Sequence, residues 1–359
     1  METSSQTPAT VTNGTTFEPV PLPPWQPGHR DPGGLDRALR QWAASPPVRA
    51  LADASGWPWP ASADTQKLLD QLADLSADWD FRAKEERNAI EGQPARVGER
   101  MIPDALIRPA AEALGLVSGS PMPRRSFTHL VVLSGLVRAC VNRTHYAAGL
   151  LQDNLGPGSV TVLGAHRMLS RSEPAQASDL GFGELRDEAE VIVAATRRAF
   201  GLDGPPVTQQ EEPVGALAQE DPSPQQKERL QAACARYRWP TVDVVIAPSS
   251  QPAERRANTQ DQLRYWASLA GIDSRHDVLL VTTQIYVPYQ HMEALRVLSL
   301  ERGCGVYCCG VDAARSLLPA KAFGGREYLQ EVRSALRAAA ALLRAEREDA
   351  AGQAESARV

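Results

Sequence analysis

Long apolar runs are absent from this sequence. No stretch reaches the roughly 18 consecutive apolar residues that a membrane-spanning helix requires. The first residues, 1–24, are rich in threonine, serine and proline, without the basic and then apolar segments of a signal peptide. These absences predict a protein that has no membrane partner and that stays, by default, in the cytoplasm.

Cysteine and net positive charge are also scarce. The chain has five cysteines, an odd number, without the spacing of a small disulfide scaffold, which fits a reducing compartment. The formal net charge is -5, whereas a general nucleic-acid binder needs an excess of basic residues to neutralise phosphates. We therefore expect no nucleic-acid partner. The net charge does not exclude a local basic pocket that binds one anionic ligand.

Four familiar catalytic signatures are missing. The sequence has no GxGxxG after its first strand, no P-loop, no GxSxG nucleophile elbow and no HExxH zinc motif. Cys304, Cys308 and Cys309 flank or fill an apolar strand with no pair of histidines nearby. We expect them to pack in the core, and we predict no metal site.

The composition is that of a protein with a substantial core. Of 359 residues, 43% are hydrophobic and 23% charged, which suffices for one large domain with an elaboration or for two domains. Five segments are distinguished by their patterns. They are a disordered or surface-draped head (1–34), a helical region (35–120), an α/β domain (125–346), a flexible acidic insertion within it (203–226) and a polar tail (347–359).

Short apolar runs alternate with amphipathic helices after residue 125. Five runs of about five residues are continuously apolar, as the buried strands of a parallel sheet are. They cover residues 129–133, 159–163, 241–246, 277–283 and 305–309. This pattern predicts the α/β class: a Rossmann-like, doubly wound parallel sheet of about five strands with helices on both faces, plus an N-terminal helical extension.

Polar residues follow these strands. In an open parallel sheet, ligands bind beyond the carboxyl ends of the strands, where helix N-termini also point. Small polar groups with scattered arginines suit a ligand that carries phosphate or carboxylate. The predicted ligand-binding residues are Ser134, Gly135, Arg143, Gly164, Arg167, Asn258, Thr259, Thr282, Thr283 and Tyr286.

Two residues are candidates for proton transfer. Glu188 lies in the first turn of a helix, where it could act as a general base or simply complement the helix dipole. His166 follows the second strand and is the best-placed histidine for acid–base chemistry. Asn258 and Thr259 could cap a helix, hold anionic oxygens or do both.

Residues 79–88 mix aromatic side chains with charges of both signs. One interpretation is an aromatic anchor that docks the N-terminal helices on the main domain. The other is a lid in which Arg82 and Arg87 reach over the strand ends and clamp an anionic ligand.

Four segments resemble the motifs of a known family, in the same order and at the same kinds of position. They are 130–135 followed by Arg143, 187–190, 256–261 and 281–288. The family is the bacterial domain of unknown function typified by YdcF, SanA and ElyC. The resemblance implies a Rossmann-like fold and a pocket associated with nucleotide-like ligands such as S-adenosylmethionine. Tyr286 stands where the family has histidine, and Tyr289 where it has arginine.

These observations favour a protein that binds a small, nucleotide-like or anionic ligand, with group transfer or hydrolysis as the reaction class if it is an enzyme. S-adenosylmethionine is one candidate cofactor. Two alternatives stay open. The tyrosine replacements favour a non-catalytic ligand sensor, whereas the proline-rich head, acidic insertion and polar tail favour a scaffold protein.

Overall fold

The architecture is a helical layer followed by a large mixed sheet. The computed structural model describes residues 16–25, 33–81, 94–119, 126–153, 156–170, 172–211 and 223–356. Among these residues, no helix combines the length and the apolar character needed to cross a membrane.

The described part of the N-terminal layer contains four α-helices and one short hairpin. They are α1 (Gly34–Ala43), α2 (Pro46–Ser55), α3 (Thr65–Leu75), the hairpin of β1 (Arg96–Val97) and β2 (Arg100–Met101), and α4 (Asp104–Ala113). The Asp64 carboxylate caps α3 by accepting the N–H of Lys67. Leucines at helical spacing on α3 are fully buried, so its apolar stripe faces the core.

Seven strands form the main sheet. They are β3 (His129–Leu133), β4 (Ser159–Ala165), β5 (Thr208–Glu211), β6 (Ala235–Arg238), β7 (Asp243–Ala247), β8 (Asp277–Thr282) and β9 (Gly305–Gly310). Their order is β5-β6-β7-β4-β3-β8-β9. The five strands from β7 to β9 across the sheet are parallel, whereas β5 and β6 pair antiparallel at one edge.

Helices cover both faces of this sheet. They are α5 (Val137–Gln152), α6 (Glu173–Asp179), α7 (Glu188–Ala199), α8 (Pro224–Ala232), α9 (Thr259–Ala270), α10 (Val287–Ala294) and α11 (Gly325–Ser356). Side chains of α5 and α7 pack in one core, and those of α9, α10, α11 and the N-terminal layer in the other. The α/β fold with helices on both faces and a helical N-terminal region is therefore confirmed.

One segment has more regular structure than the sequence suggested. The insertion at 203–226 is not wholly flexible, because β5 lies within it and pairs with β6, while residues 212–222 lie outside the described part. In the polar tail predicted at 347–359, α11 continues to Ser356. Arg347 holds this extension to the N-terminal layer through ion pairs with Asp36 (3.0 Å) and Asp64 (3.1 Å).

Residues 16–25 form an extended strap on the protein surface, which we call the N-terminal strap. The Val20 N–H donates to the Ala113 carbonyl at 2.7 Å, and Phe17, Leu22 and Trp25 pack against the core. Of the two states expected for 1–34, this part is draped rather than disordered. Residues 1–15 and 26–32 lie outside the described part.

The aromatic run after α3 anchors the helical layer. The rings of Trp57 and Trp79 lie 4.3 Å apart, and the Trp79 indole donates to the Ser55 hydroxyl. The Phe81 N–H donates to the Gln330 side chain of α11, which joins the layer to the main domain. Arg82 and Arg87, the residues of the expected lid, lie outside the described residues.

A half-buried histidine lies at the N-terminal end of β3, and so at the opposite edge of the parallel strands from their carboxyl ends. His129 begins β3, contacts Trp266 edge-on and lies 5.0 Å from the His276 ring. Burial, with a smaller contribution from His276, lowers the pKa of His129 from 6.5 to about 4. The folded protein therefore resists protonation of this ring.

We predict that the free energy of unfolding falls as the pH decreases from about 6.5 towards 4, because the unfolded chain then binds a proton that the folded chain does not. Between pH 7 and pH 5, the free energy of unfolding should fall by about 1 kcal/mol less in His129→Gln than in the unaltered protein, as measured by urea unfolding. The matched control is His145→Gln, at an exposed position. An unchanged pH dependence in His129→Gln would contradict the assignment.

Candidate functional site

A cleft of about 1950 Å³ lies beyond the carboxyl ends of the parallel strands. It is lined by the N-terminal strap, the turn at 115–119, the N-terminal ends of α5, α9 and α10, and the loop at 311–323. The strand order β7-β4-β3-β8-β9 changes direction between β3 and β8. Such a switch point is where open α/β sheets bind ligands.

Most of the residues predicted for the site line this cleft, and three do not. Those that line it are Ser134, Gly135, Arg143, Arg167, Glu188, Asn258, Thr259, Thr283 and Tyr286. The lining does not include Gly164, His166 or Thr282. The structure therefore brings together residues from the ends of four strands.

Glu188 occupies the centre of a buried polar network. Its Oε1 atom accepts a hydrogen bond from the Ser134 hydroxyl at 2.5 Å, and its Oε2 atom accepts from Arg167 Nε at 2.7 Å. Arg256 Nη1 lies 3.9 Å from the same Oε2 atom. Glu188 is only 5% exposed, so these neighbours offset a charge that water reaches poorly.

Arg167 is shared between two carboxylates. Its two terminal nitrogens donate to Glu173 at 2.7 and 2.8 Å, while its Nε donates to Glu188. Burial acts to lower the pKa of Arg167, but the hydrogen bonds to Glu173 and the charge of Glu188 raise it above the ordinary arginine range. The bidentate contact with Glu173 fixes the plane of the guanidinium group. It therefore also fixes the direction in which Arg167 Nε donates to Glu188.

Glu173 is a site residue that the sequence analysis missed. Burial acts to raise its pKa, but hydrogen bonds from Arg167 and Ser170 outweigh burial and hold the pKa below its ordinary value. Ser170 donates to it through both its N–H and its hydroxyl. The Ser-x-x-Glu spacing from 170 to 173 is the one signal that could have indicated a local pairing of this kind.

Arg143 joins the ends of β3 and β8 at the switch point. It is 1% exposed and donates to the carbonyls of Leu133 (2.8 Å) and Ser134 (2.5 Å) and to the Thr283 hydroxyl (3.1 Å). Its guanidinium carbon lies 5.8 Å from the centre of the Tyr286 ring. Arg143 thus has a structural role at the floor of the cleft and adds a positive charge there.

Asn258 caps α9 through a reciprocal capping box with Asp261, at 3.0 Å in each direction. Burial acts to raise the pKa of Asp261, but a hydrogen bond from Arg255 outweighs it and lowers the pKa. Capping explains the choice of residues at this helix start. Asn258 and Thr259 also line the cleft, so the same helix end faces the candidate ligand site.

Gly164, His166 and Thr282 have other surroundings. A Cβ atom on Gly164 would lie 2.8 Å from Ile246 Cδ1 and 3.0 Å from Ile192 Cγ2, so this glycine permits close packing of α7 on the sheet. His166 Nδ1 lies 2.6 Å from Asp187, the residue that caps α7. Thr282 is fully buried, and its hydroxyl finds no hydrogen-bond partner in the described residues.

The clustered cysteines pack in the apolar interior. Cys304 and Cys308 are buried, and burial raises the pKa of Cys304 to about 12. Cys309 is partly buried on the same strand. These surroundings keep the thiols protonated and agree with a packing role.

Comparison with other proteins identifies the family. Uncharacterized proteins Rv3785 and MT3893 of Mycobacterium tuberculosis and Mb3814 of Mycobacterium bovis are each 30% identical to this chain over 344 residues, which is 90% of this chain and 93% of each relative. The chain belongs to the Rv3785 family. A model described as the Rv3785 N-terminal domain matches residues 26–115. No solved structure matches the chain.

The extent of the similarity shows what members of the Rv3785 family share. The aligned 344 residues include both the helical layer and the sheet. The cleft is lined from both of these parts. The similarity to the relatives therefore extends over both of the parts that enclose the candidate site in this chain.

We predict that Gly164→Ala lowers the free energy of unfolding by about 1–3 kcal/mol, because the added methyl group overpacks the contact between β4 and α7. Chemical unfolding measures this change. The control is Gly204→Ala, where a Cβ atom would meet nothing within 4 Å and the effect should stay within about 0.5 kcal/mol. Equal stability of the two variants would show that Gly164 has no packing role.

Proposed function

We propose that this protein binds a small anionic, nucleotide-like ligand in the cleft, and that Glu188 accepts a proton there in a hydrolytic or group-transfer reaction. The observation that carries the proposal is the 2.5 Å contact between Ser134 Oγ and Glu188 Oε1, which joins the end of β3 to the start of α7 beside the switch point. The ligand is a small molecule rather than a nucleic acid, and the cytoplasm is the compartment that we infer.

The charges around the cleft support an anionic ligand. Six arginines and one lysine line it, against three carboxylates, although the whole chain has a net charge of -5. Positive charge is thus concentrated where the sheet and the helix N-termini meet. A cleft with one sign of charge and low-dielectric walls raises the local concentration of ligands of the opposite sign.

The Ser134–Glu188 pair supports proton transfer. A carboxylate that already accepts a hydroxyl hydrogen bond can take that proton when the oxygen attacks an electrophile. The same carboxylate could take a proton from a ligand hydroxyl or from a water molecule in place of Ser134. Arg167 fixes the orientation of Glu188 in each case, because it holds the second carboxylate oxygen.

The family resemblance noted in the sequence supports a nucleotide-like ligand. Proteins of the YdcF type suggest S-adenosylmethionine as one candidate cofactor. Tyr286, in place of the histidine of that family, presents a ring beside the Arg143 guanidinium. An aromatic ring next to a fixed cation suits a flat, partly anionic ligand.

A second candidate is a ligand sensor without catalysis. The observation that favours it is the replacement of the family's histidine by Tyr286, which removes a side chain that could exchange protons near neutral pH. Glu188 would then only complete the polar network around the ligand. Binding without turnover distinguishes this candidate from the enzyme.

We predict that Glu188→Gln retains ligand binding but lowers turnover at least about 100-fold, because the glutamine oxygen can still accept from Arg167 and its NH2 group can donate to the Ser134 hydroxyl, but the side chain cannot accept the proton. Thermal shift would first screen nucleotides, sugar phosphates, S-adenosylmethionine and its demethylated product. Mass spectrometry would then follow conversion of each compound that binds. The control is Glu190→Gln, on the same helix but outside the cleft lining.

Three outcomes separate the alternatives. Binding with turnover that Glu188→Gln abolishes supports the enzyme. Binding without turnover in the unaltered protein favours the sensor. Absence of binding by all compounds of the screen contradicts the proposal and favours a scaffold.

A further inference from the structure

Two buried polar atoms on α10 lack partners at the wall of the cleft. Gln290 and His291 both line it, and each is 5% exposed. Among the described residues, none hydrogen-bonds to Gln290 Oε1 or to His291 Nδ1. An unsatisfied buried polar group destabilises the folded protein, so two neighbouring ones require an explanation.

Both atoms act as hydrogen-bond acceptors. His291 Nε2 lies 2.8 Å from the Pro23 carbonyl, which can only accept, so Nε2 holds the hydrogen and Nδ1 presents its lone pair. Burial lowers the pKa of His291, against a smaller opposing effect of the Pro23 contact, and this favours the neutral ring. Gln290 Oε1 is a carbonyl oxygen. The missing partners are therefore N–H or O–H donors.

The N-terminal strap over this wall is poor in donors. Pro21, Pro23 and Pro24 have no N–H group. The N–H of Val20 is already bonded to Ala113. The Pro23 carbonyl of the strap contacts His291, and no described N–H group of the strap hydrogen-bonds to either acceptor.

Aromatic side chains surround the same wall. The cleft is also lined by Trp25 of the strap, by Tyr286 just before α10 and by Tyr289 in its first turn. Such rings favour a flat group between them. A charged ammonium group is less suitable, because Glu293, one turn along α10, is already paired with Arg296 at 3.1 Å.

We propose that Gln290 and His291 form a subsite for the neutral N–H donors of the ligand, namely an amide or an amino group on a ring. This inference rests on the proposed function, because the ligand has to enter the same cleft. The anionic part of the ligand lies at the switch point, and the N–H donors lie beneath the strap.

The test compares ligands that differ in one amino group. Isothermal titration calorimetry measures binding of adenosine monophosphate against purine riboside monophosphate and of cytidine monophosphate against pyrimidin-2-one riboside monophosphate, in which a hydrogen replaces the amino group and the base has no N–H, with inorganic pyrophosphate as the anion alone. The amino-bearing member of each pair should bind at least about tenfold more tightly, since a buried acceptor left unmet weakens binding of the other.

The Gln290→Met variant tests the assignment to this wall. It should reduce the discrimination within each pair to about twofold or less and leave the pyrophosphate affinity unchanged, because methionine fills the space without an acceptor. The ligand-free variant should be at least as stable as the unaltered protein, since an unmet buried acceptor is removed. The control is Ser299→Ala, which removes another buried, unpartnered polar atom outside the cleft lining.

The outcomes distinguish this inference from the proposed function. If nucleotides and pyrophosphate all fail to bind, the result contradicts both the proposed function and the subsite. If nucleotides bind but the members of each pair bind equally, the result contradicts the subsite alone, and water satisfies the two acceptors. If discrimination survives in Gln290→Met, the N–H donors bind elsewhere in the cleft.

Discussion

The buried ion triad of Glu173, Arg167 and Glu188 is the interaction on which the candidate site depends. An arginine taken out of water is tolerated only when its donors are paired, and here both carboxylates supply the pairing. The triad joins the end of β4 to α6 and α7. Through Ser134 it also reaches the end of β3, so three separate chain segments are held in one geometry. Removing Arg167 would leave two buried carboxylates without their shared cation.

The helical layer completes the cleft that the sheet begins. Gln284, just after β8, donates to the Gly115 carbonyl at 2.7 Å, and His291 on α10 bonds the Pro23 carbonyl of the strap. Both contacts join strand-end residues to the N-terminal region. The relatives from Mycobacterium align over both regions, which agrees with a site that neither region forms alone.

The sequence indicated the five parallel strands because each is a short, continuously apolar run, and it located the site because polar residues follow them. It did not indicate Glu173, because the role of this residue depends on the hydrogen bonds that Arg167, after β4, makes to the start of α6. It did not indicate β5 either, because this strand is defined by its pairing with β6. Gly164 and Thr282 follow the strand-end pattern but face the interior, because alternate residues of a strand point to opposite faces. Periodicity identifies elements, whereas contacts between distant segments decide which side chains meet.

The central claim is that an anion binds at the switch point of the sheet. The most direct measurement is an NMR titration that follows the arginine side-chain Nε–H signals as inorganic pyrophosphate is added. The account predicts that the signals of Arg143 and Arg256, which line the cleft, move together and saturate, while those of Arg236 and Arg264, outside its lining, stay fixed. Saturable movement confined to Arg236 or Arg264, or no movement at all, would contradict it.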